Sequence, residues 1–332
     1  MALFLGIDTS NYRTSSALID EAGRVVAQHA VLLDVPEGSR GLRQSEAFFH
    51  HSNRLPGQIE ELFSHADPAC IAAVGVSERP RRVEGSYMPC FLAGSNAARE
   101  IAASLKIPCM GFSHQEGHAA AVIESGGRKP AGRSLLFHLS GGTTEALLCS
   151  PDEAGYSMEI KGGTLDISVG QLLDRFGVAL GMPFPAGQYL DDMAYEVLGS
   201  QQKAFSKPAP TGVIPKIKTD DGWFNLSGAE TRLMRYAESG DHDDQSAVAA
   251  ELLYTVSRLI LDMAEALNSE NEVDEIYMAG GFASSRCFRA VAEREKRISV
   301  RFADPKLSGD NAAGTALLAR RIYETGNSNT GK

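Results

Sequence analysis

The sequence predicts an α/β protein of two domains, each opening on the same strand–turn–strand motif. Three observations carry this. The chain has 332 residues, enough for about two domains of ordinary size. Short apolar runs alternate with longer stretches of helical periodicity. And Thr14-Ser15-Ser16-Ala17-Leu18 has a counterpart, roughly 130 residues on, in Thr143-Thr144-Glu145-Ala146-Leu147. Each follows a strand and a polar turn and opens another strand, a weak internal repeat of domain size.

In the first half, Leu3 to Asp8 reads as a buried strand ending on Asp8, followed by a polar turn through Arg13. Thr14 to Asp20 is a second strand, and Glu21 to Arg24 the hairpin turn into a third. Gln44 to His65 places Phe48, Leu55, Ile59 and Leu62 at helical spacing. Ile71 to Ser77 is a strand, and Ser95 to Leu105 an alanine-rich helix closed by Lys106 before Pro108. Cys109 to Phe112 is a strand that leads into His114 and a further helix.

The pattern then restarts with strand Ser134 to Leu139, turn Ser140 to Thr143 and strand Thr144 to Cys149. Ser246 to Leu267 is a long amphipathic helix, and Val273 to Ala279 a strand ending in Gly280-Gly281. Val300 to Ala303 reads as a last strand and Asn311 to Arg320 as a terminal helix. The polar stretch from Gly199 to Asp221 holds Pro208, Pro210 and Pro215 and reads as a mobile insertion. The tail from Glu324 to Lys332 is expected to lack fixed structure.

Composition narrows the function classes. Hydrophobic residues make up 43% and charged residues 22%, as in an average globular chain. The 33 glycines exceed the roughly 7% of average usage, and many sit beside Ser, Thr or Asp, as phosphate-cradling turns require. The net charge of −10 shows no basic stripe; the densest basic run is Arg79, Arg81 and Arg82. An RNA substrate would therefore need a partner subunit for much of its phosphate contact. The cysteines Cys70, Cys90, Cys109, Cys149 and Cys287 are odd in number, widely spaced and without C-x-x-C. That argues against a disulfide framework and a thiolate zinc site, and predicts buried free thiols in a reducing, cytoplasmic compartment. The N-terminal MALFLGIDTS has neither basic leader nor cleavage site, and no run of about 18 apolar residues predicts a membrane span.

Four constellations carry chemistry. In His114-Gln115-Glu116-Gly117-His118, two histidines at i and i+4 on a helix point the same way and can reach one metal. Glu116 is in the wrong place for the zincin pattern, which disfavours a peptidase. Asp310, just before the terminal helix, is a candidate third ligand, with a plain N-cap as the competing reading. Ser140-Gly141-Gly142-Thr143-Thr144 is a glycine turn after a strand that lets backbone N–H groups approach phosphate. Ala279-Gly280-Gly281-Phe282-Ala283-Ser284-Ser285 runs from strand through a glycine pair to a helix start, an arrangement that suits a nucleotide. Asp174, thirteen positions before Gly187, is placed to hydrogen-bond ribose hydroxyls.

The order of these motifs, from LFLGIDTS to GDNAAGTALLA, resembles the TsaD family over nearly the whole chain. That family is also known as Kae or Gcp and was formerly described as glycoproteases. The resemblance implies an ASKHA (actin/hexokinase/Hsp-type ATPase) duplication, with two actin-like domains and a cleft between them. On that plan the first domain is 1–130, completed by a C-terminal helix at about 307–325, and the second is 131–306. It implies one divalent metal, iron or zinc, on His114, His118 and Asp310, with Asp8 a further contact to metal or phosphate. It implies adenylate contacts from Leu139, Ser140, Gly141, Gly142, Thr143, Asp174, Gly187, Gly280, Gly281 and Ser285. The implied reaction is transfer of a threonylcarbamoyl group from an adenylate to adenosine in the tRNA anticodon loop, with TsaB-like partner subunits helping to hold the tRNA.

Four features depart from the family pattern. Thr143 stands for the histidine of SGGH, Glu78-Arg79-Pro80-Arg81-Arg82 for a Gly-Pro-Gly loop, Ser285 for an asparagine, and Glu230 for the lysine of SGLK. These describe a divergent paralogue and leave two alternatives beside tRNA modification: carbamoyl transfer to another acceptor, or a non-catalytic scaffold. A sugar kinase of the same architecture would need a catalytic aspartate that the sequence does not single out.

Overall fold

The structure, a computed structural model, describes residues 1–10, 13–33, 42–201, 203–240, 244–304, 307 and 312–330. Strand β1 (Leu3–Asp8) is buried at every position, as an unbroken apolar run requires when both faces of a strand are covered. It pairs antiparallel with β2 (Arg13–Asp20), which pairs antiparallel with β3 (Val25–Leu32). Helix α1 (Gln44–Ser64) leads to β4 (Ile71–Arg79), parallel to β1. Helix α2 (Phe91–Leu105) ends where Lys106 turns left-handed at φ 57°. Then β5 (Cys109–Ser113) adds parallel to β4, and α3 (His114–Ile123) follows directly.

The second set comprises β6 (Ser134–Leu139), β7 (Thr144–Asp152), β8 (Gly155–Thr164), α4 (Val169–Ala179) and α5 (Gly187–Ser200). It continues with β9 (Thr219–Asp220), β10 (Trp223–Phe224), α6 (Ser227–Glu238), α7 (Gln245–Asn271), β11 (Glu275–Ala279), α8 (Arg286–Arg294) and β12 (Arg301–Phe302). Helix α9 (Ala313–Thr330) closes the chain. It runs through most of the tail that was expected to lack structure. Among the described residues the first sheet has the order β3-β2-β1-β4-β5 and the second β12-β11-β6-β7-β8-β10-β9. Five strands of the second, taken as β8-β7-β6-β11-β12, repeat the first. The directions repeat too: β6 is antiparallel to β7 and parallel to β11, as β1 is to β2 and β4. The short repeat at Thr14 and Thr143 is thus the visible part of a duplicated sheet.

The chain divides into two units. One comprises Met1–Pro130, Ser150–Met158 and Lys306–Lys332; the other comprises Ala131–Cys149 and Glu159–Pro305. The tip of the β7–β8 hairpin therefore packs with the first unit, although its sequence lies within 131–306. Arg82 pairs with Asp152 at 2.8 Å, the Tyr156 hydroxyl donates to Glu124 at 2.8 Å, and Arg321 donates to the Gly155 carbonyl at 2.8 Å. The first core gathers Leu5, Ile7, Leu18, Leu55, Leu62, Val74 and Val76; the second surrounds α7, with Leu252, Val256 and Ile260 fully buried. Cys90, Cys149 and Cys287 are buried free thiols as expected, whereas Cys70 and Cys109 are exposed. No helix among the described residues is long and apolar enough to cross a membrane.

In the first unit, α9 lies backbone to backbone on its neighbours. A Cβ on Gly314 would overlap the Gly117 carbonyl of α3, and one on Gly6 or Gly75 would overlap the carbonyls of Ala312 or Thr315. Only glycine permits that approach.

Asp166, between β8 and α4, holds the first turn of α6, accepting from the N–H groups of Leu226 at 2.9 Å and Ser227 at 3.0 Å. Partial burial pushes its pKa up, but the N–H donors of Leu226, Ser227 and Ile167 outweigh this and keep the carboxyl below its ordinary value. A depressed carboxyl stabilises the fold above its unfolded pKa, and that contribution fades as pH falls below about 4. Asp166→Ala is expected to lower stability by about 1 kcal/mol at pH 7. Urea midpoints of the two proteins should differ clearly there and draw together as the pH is lowered from about 4; a gap that does not narrow would be inconsistent with this role.

Candidate functional site

In the first unit the helix start decides the geometry. Ser113 caps α3, accepting from the Glu116 N–H at 3.2 Å while Glu116 accepts back from the Ser113 N–H at 2.8 Å. Glu116 also accepts from the Tyr156 N–H at 3.1 Å, so its carboxylate is committed to the fold. Two positions of α3, one turn apart, then bring His114 and His118 together, with Nε2 to Nε2 at 2.9 Å and ring centroids 4.3 Å apart. His114 presents its other nitrogen, Nδ1, to Asp8 at 2.8 Å.

Asp8 ends β1 and is buried. It accepts from the Ser10 N–H at 2.9 Å and from the Ser77 hydroxyl. Burial alone would raise its pKa; the charge and hydrogen bond of His114, with the Ser10 and Ser77 donors, bring it down to about 2. An ionised Asp8 accepts a hydrogen bond from Nδ1–H of His114, so in the neutral ring Nε2 is the acceptor and faces His118. A carboxylate behind one imidazole nitrogen, with the other nitrogen presented outward, is the usual support of a metal-ligating histidine. The two Nε2 atoms are close enough for one ion at about 2.0–2.1 Å from each to reach both, so this pair fits a divalent metal. Asp310, the expected third ligand, lies outside the described residues, and among the described ones no group of three His, Cys, Asp or Glu side chains is arranged to hold a metal.

The second unit contains a cavity of about 510 Å³, in the size range of small-molecule sites. Its lining includes Ser140, Gly141, Asp174, Gly187, Asp191, Gly281, Ser285 and Arg286. Leu139, Gly142, Thr143 and Gly280 are outside the lining, although they build the turns that carry it. The Ser140 N–H donates to the Thr143 carbonyl at 2.8 Å, and the Ser140 hydroxyl accepts from Thr143 N–H at 3.0 Å. The Ser168 hydroxyl, which caps α4, donates to the Gly141 carbonyl at 2.7 Å. Gly280, at φ 94°, lies flat on Leu139, where any Cβ would collide with backbone. Gly141, Gly142 and Gly281 have open space where a side chain would stand, so a ligand can approach their backbone.

Two carboxylates hold helix starts around this cavity. Asp174 Oδ1 accepts from the N–H groups of Ala186 at 2.8 Å and Gly187 at 3.1 Å, where α5 begins. Asp191 was not singled out from the sequence. It is buried and accepts from the Arg286 N–H at 2.7 Å, the Cys287 N–H at 3.1 Å and the Ser285 hydroxyl at 2.5 Å. Its position one helical turn past Gly187, on the same face, was the available signal. Ser285 is the N-cap of α8, accepting from the Phe288 N–H at 3.0 Å. Phe282–Ser284 forms a short 3-10 turn before it, so β11 does not run straight into a helix. Glu230 pairs with Arg175 at 2.6 Å, joining α6 to α4.

A model of the TsaD family, tRNA N6-adenosine threonylcarbamoyltransferase, matches residues 35–317. The tRNA N6-adenosine threonylcarbamoyltransferase of Thermotoga neapolitana is 29% identical over 324 residues, 96% of this chain and 93% of its own. That of Bacillus subtilis is 26% identical over 338 residues, 97% of this chain and 91% of its own. Among solved structures, component A of the (R)-2-hydroxyglutaryl-CoA dehydratase of Acidaminococcus fermentans superposes with a TM-score of 0.55 at 15% identity, over 98% of this chain and 100% of that one. This likeness shows the fold, the duplicated ASKHA plan that the motif order implied.

Replacing Gly314 by Ala should push α9 off α3 and lower stability by about 1–3 kcal/mol, with weaker binding of divalent metal. Gly281→Ala, whose Cβ meets nothing, should unfold in urea at the wild-type midpoint. Equal midpoints for all three proteins would contradict the backbone contact at Gly117.

Proposed function

The chain belongs to the TsaD family of tRNA N6-adenosine threonylcarbamoyltransferases, and on that basis we propose that it transfers a threonylcarbamoyl group from its adenylate to the exocyclic amine of an adenosine in the tRNA anticodon loop, with a divalent metal on His114, His118 and Asp310. The observation that carries the metal part is the hydrogen-bonded series Asp8–His114–His118, which turns two imidazole nitrogens toward one point. Iron or zinc held there would supply Lewis-acid polarisation of the carbamoyl carbonyl.

The chain's own residues account for binding and orientation. The turns at Gly141 and Gly281 let the adenylate approach backbone, and Asp174 and Asp191 keep the starts of α5 and α8 fixed around it. Rigid walls place the reacting carbon at low entropic cost. In the reaction the adenosine N6 forms a bond to the carbamoyl carbon, the bond from that carbon to the phosphate oxygen breaks, AMP leaves with the electron pair, and the amine releases one proton to solvent. Asp8 keeps His114 in the tautomer whose Nε2 lone pair faces outward. Loop bases of RNA are open to such chemistry because they can be splayed from the stack. A TsaB-like partner subunit would share the tRNA contact.

A second reading has its own support. Glu230, where the family pattern has lysine, is engaged with Arg175, so this surface offers a carboxylate–guanidinium pair in place of a free cation. That favours an acceptor other than tRNA for the same carbamoyl donor.

Incubation with threonylcarbamoyl-adenylate, unmodified tRNA and partner subunits, followed by mass spectrometry of the tRNA nucleosides, tests both. The wild type should yield modified adenosine, and the folded double variant His114→Ala/His118→Ala should yield none and retain no metal. Undiminished turnover by the metal-free variant would remove the metal from the mechanism. Adenylate consumption without modified adenosine would support the other acceptor.

A further inference from the structure

The stretch between α5 and β9 reverses the sign of the surface. It carries Lys203, Lys207, Lys216 and Lys218, four of the chain's ten lysines, and no acidic residue from Gln201 to Lys218, in a chain of net charge −10. All four lysines are exposed, and among the described residues none makes an ion pair.

The backbone beneath them is held in place. The Thr211 N–H and hydroxyl both donate to Glu251 of α7, at 2.8 and 2.5 Å. Phe205 donates its N–H to the Leu198 carbonyl at 2.8 Å, and its ring meets Tyr195 with centroids 4.9 Å apart. Val213, Ile214 and Ile217 pack against the core around α7. With the apolar side chains turned inward, the lysines remain outside on a ridge. Ridge and helix flank a groove of about 660 Å³, lined by Lys207, Lys216, Tyr254 and Arg258 among others. The groove's acids are already engaged: Glu251 by Thr211, and Asp262 by Arg258 at 2.5 Å and Arg297 at 3.1 Å.

We infer that Lys203, Lys207, Lys216 and Lys218 form a docking surface for the sugar–phosphate backbone of RNA, which on the proposed reading is the body of the tRNA acceptor away from its reacting base. Lysine is a compact point charge suited to phosphate, and four along one ridge match a repeating polyanion better than a single small anion. A bilayer surface is the weaker fit: no large apolar side chain between residues 201 and 218 is among the exposed ones, so nothing is available to enter the acyl region. The net acidity of the chain concealed this ridge in composition. The partner subunit then shares the phosphate contact and does not supply it alone.

The experiment compares the full-length wild type with the quadruple variants Lys→Gln and Lys→Arg at residues 203, 207, 216 and 218. Binding of unmodified tRNA is titrated from about 50 to about 200 mM salt, with adenylate affinity measured beside it. Each phosphate contact contributes roughly 0.7–0.9 to the slope of log K against log salt, so the Gln variant should lose about 3 from the wild-type slope. It should bind adenylate as before, and the Arg variant should keep the wild-type slope. An unchanged slope in the Gln variant overturns the docking surface while leaving tRNA as the acceptor. A wild type that binds adenylate but no tRNA overturns the acceptor as well. Lysine-dependent binding to phosphatidylglycerol vesicles in place of tRNA assigns the ridge to a membrane and also overturns it.

Discussion

The first unit depends on two helices that touch through their backbones. Gly117 stands between the two histidines of α3, and Gly314 of α9 lies against its carbonyl. The same helix α9 rests on Gly6 of β1 and Gly75 of β4. One seam of small residues thereby aligns the strand that ends in Asp8, the strand that carries Ser77 and the helix that carries His114 and His118. Ala119, Ala120, Ala121, Ala313 and Ala316 are all fully or almost fully buried along it. At such short range each added methyl group would displace main chain, which has little freedom to give way. The separation of Asp8 and His114, which stand on different elements, therefore depends on a contact that contains no functional group.

The duplicated sheets put one scaffold to two uses. At the end of β1 the chain places a buried carboxylate, Asp8; at the end of β6 it places a glycine turn. In the first unit the carboxylate orients an imidazole. In the second the carboxylates Asp174 and Asp191 are spent on main-chain N–H groups where helices begin. Negative charge is favourable there because those N–H groups lack partners within the helix and sit at the positive end of its dipole. The cavity walls are thus stiffened by the same charges that give them an acidic character, and Arg286, paired with Asp192 at 3.2 Å, is the cation in the lining.

What was legible in the sequence followed spacing. The histidine pair was visible because a helix repeats its face every four residues, and the strands β1, β4 and β6 because unbroken apolar runs need cover on both faces. The sheet duplication was visible only as one short echo, since the remaining equivalent strands share geometry and not residues. Contacts made by main chain left no trace: nothing in the spacing of Gly117 and Gly314 announces that they meet. Asp191 was hidden for a related reason, because its partners are N–H groups nearly a hundred residues away. The lysine ridge was lost in an acidic average, although its four charges were in plain order along the chain. Cys70 and Cys109 came out exposed because a cysteine's burial is decided by the element it falls in, here a 3-10 turn and the start of an edge strand.

The placement of α9 also sets an order of assembly. Strand β1 is made first, yet its glycine face is covered by a helix that begins at Ala313 of 332 residues. At a synthesis rate of about 5–20 residues per second, the interval between them is roughly 15 to 60 s. The second unit ends before α9 begins and has all of its own sequence available first. The later-encoded half therefore has its own sequence complete before the earlier one does. Throughout that interval the first sheet lacks the helix that covers Gly6 and Gly75.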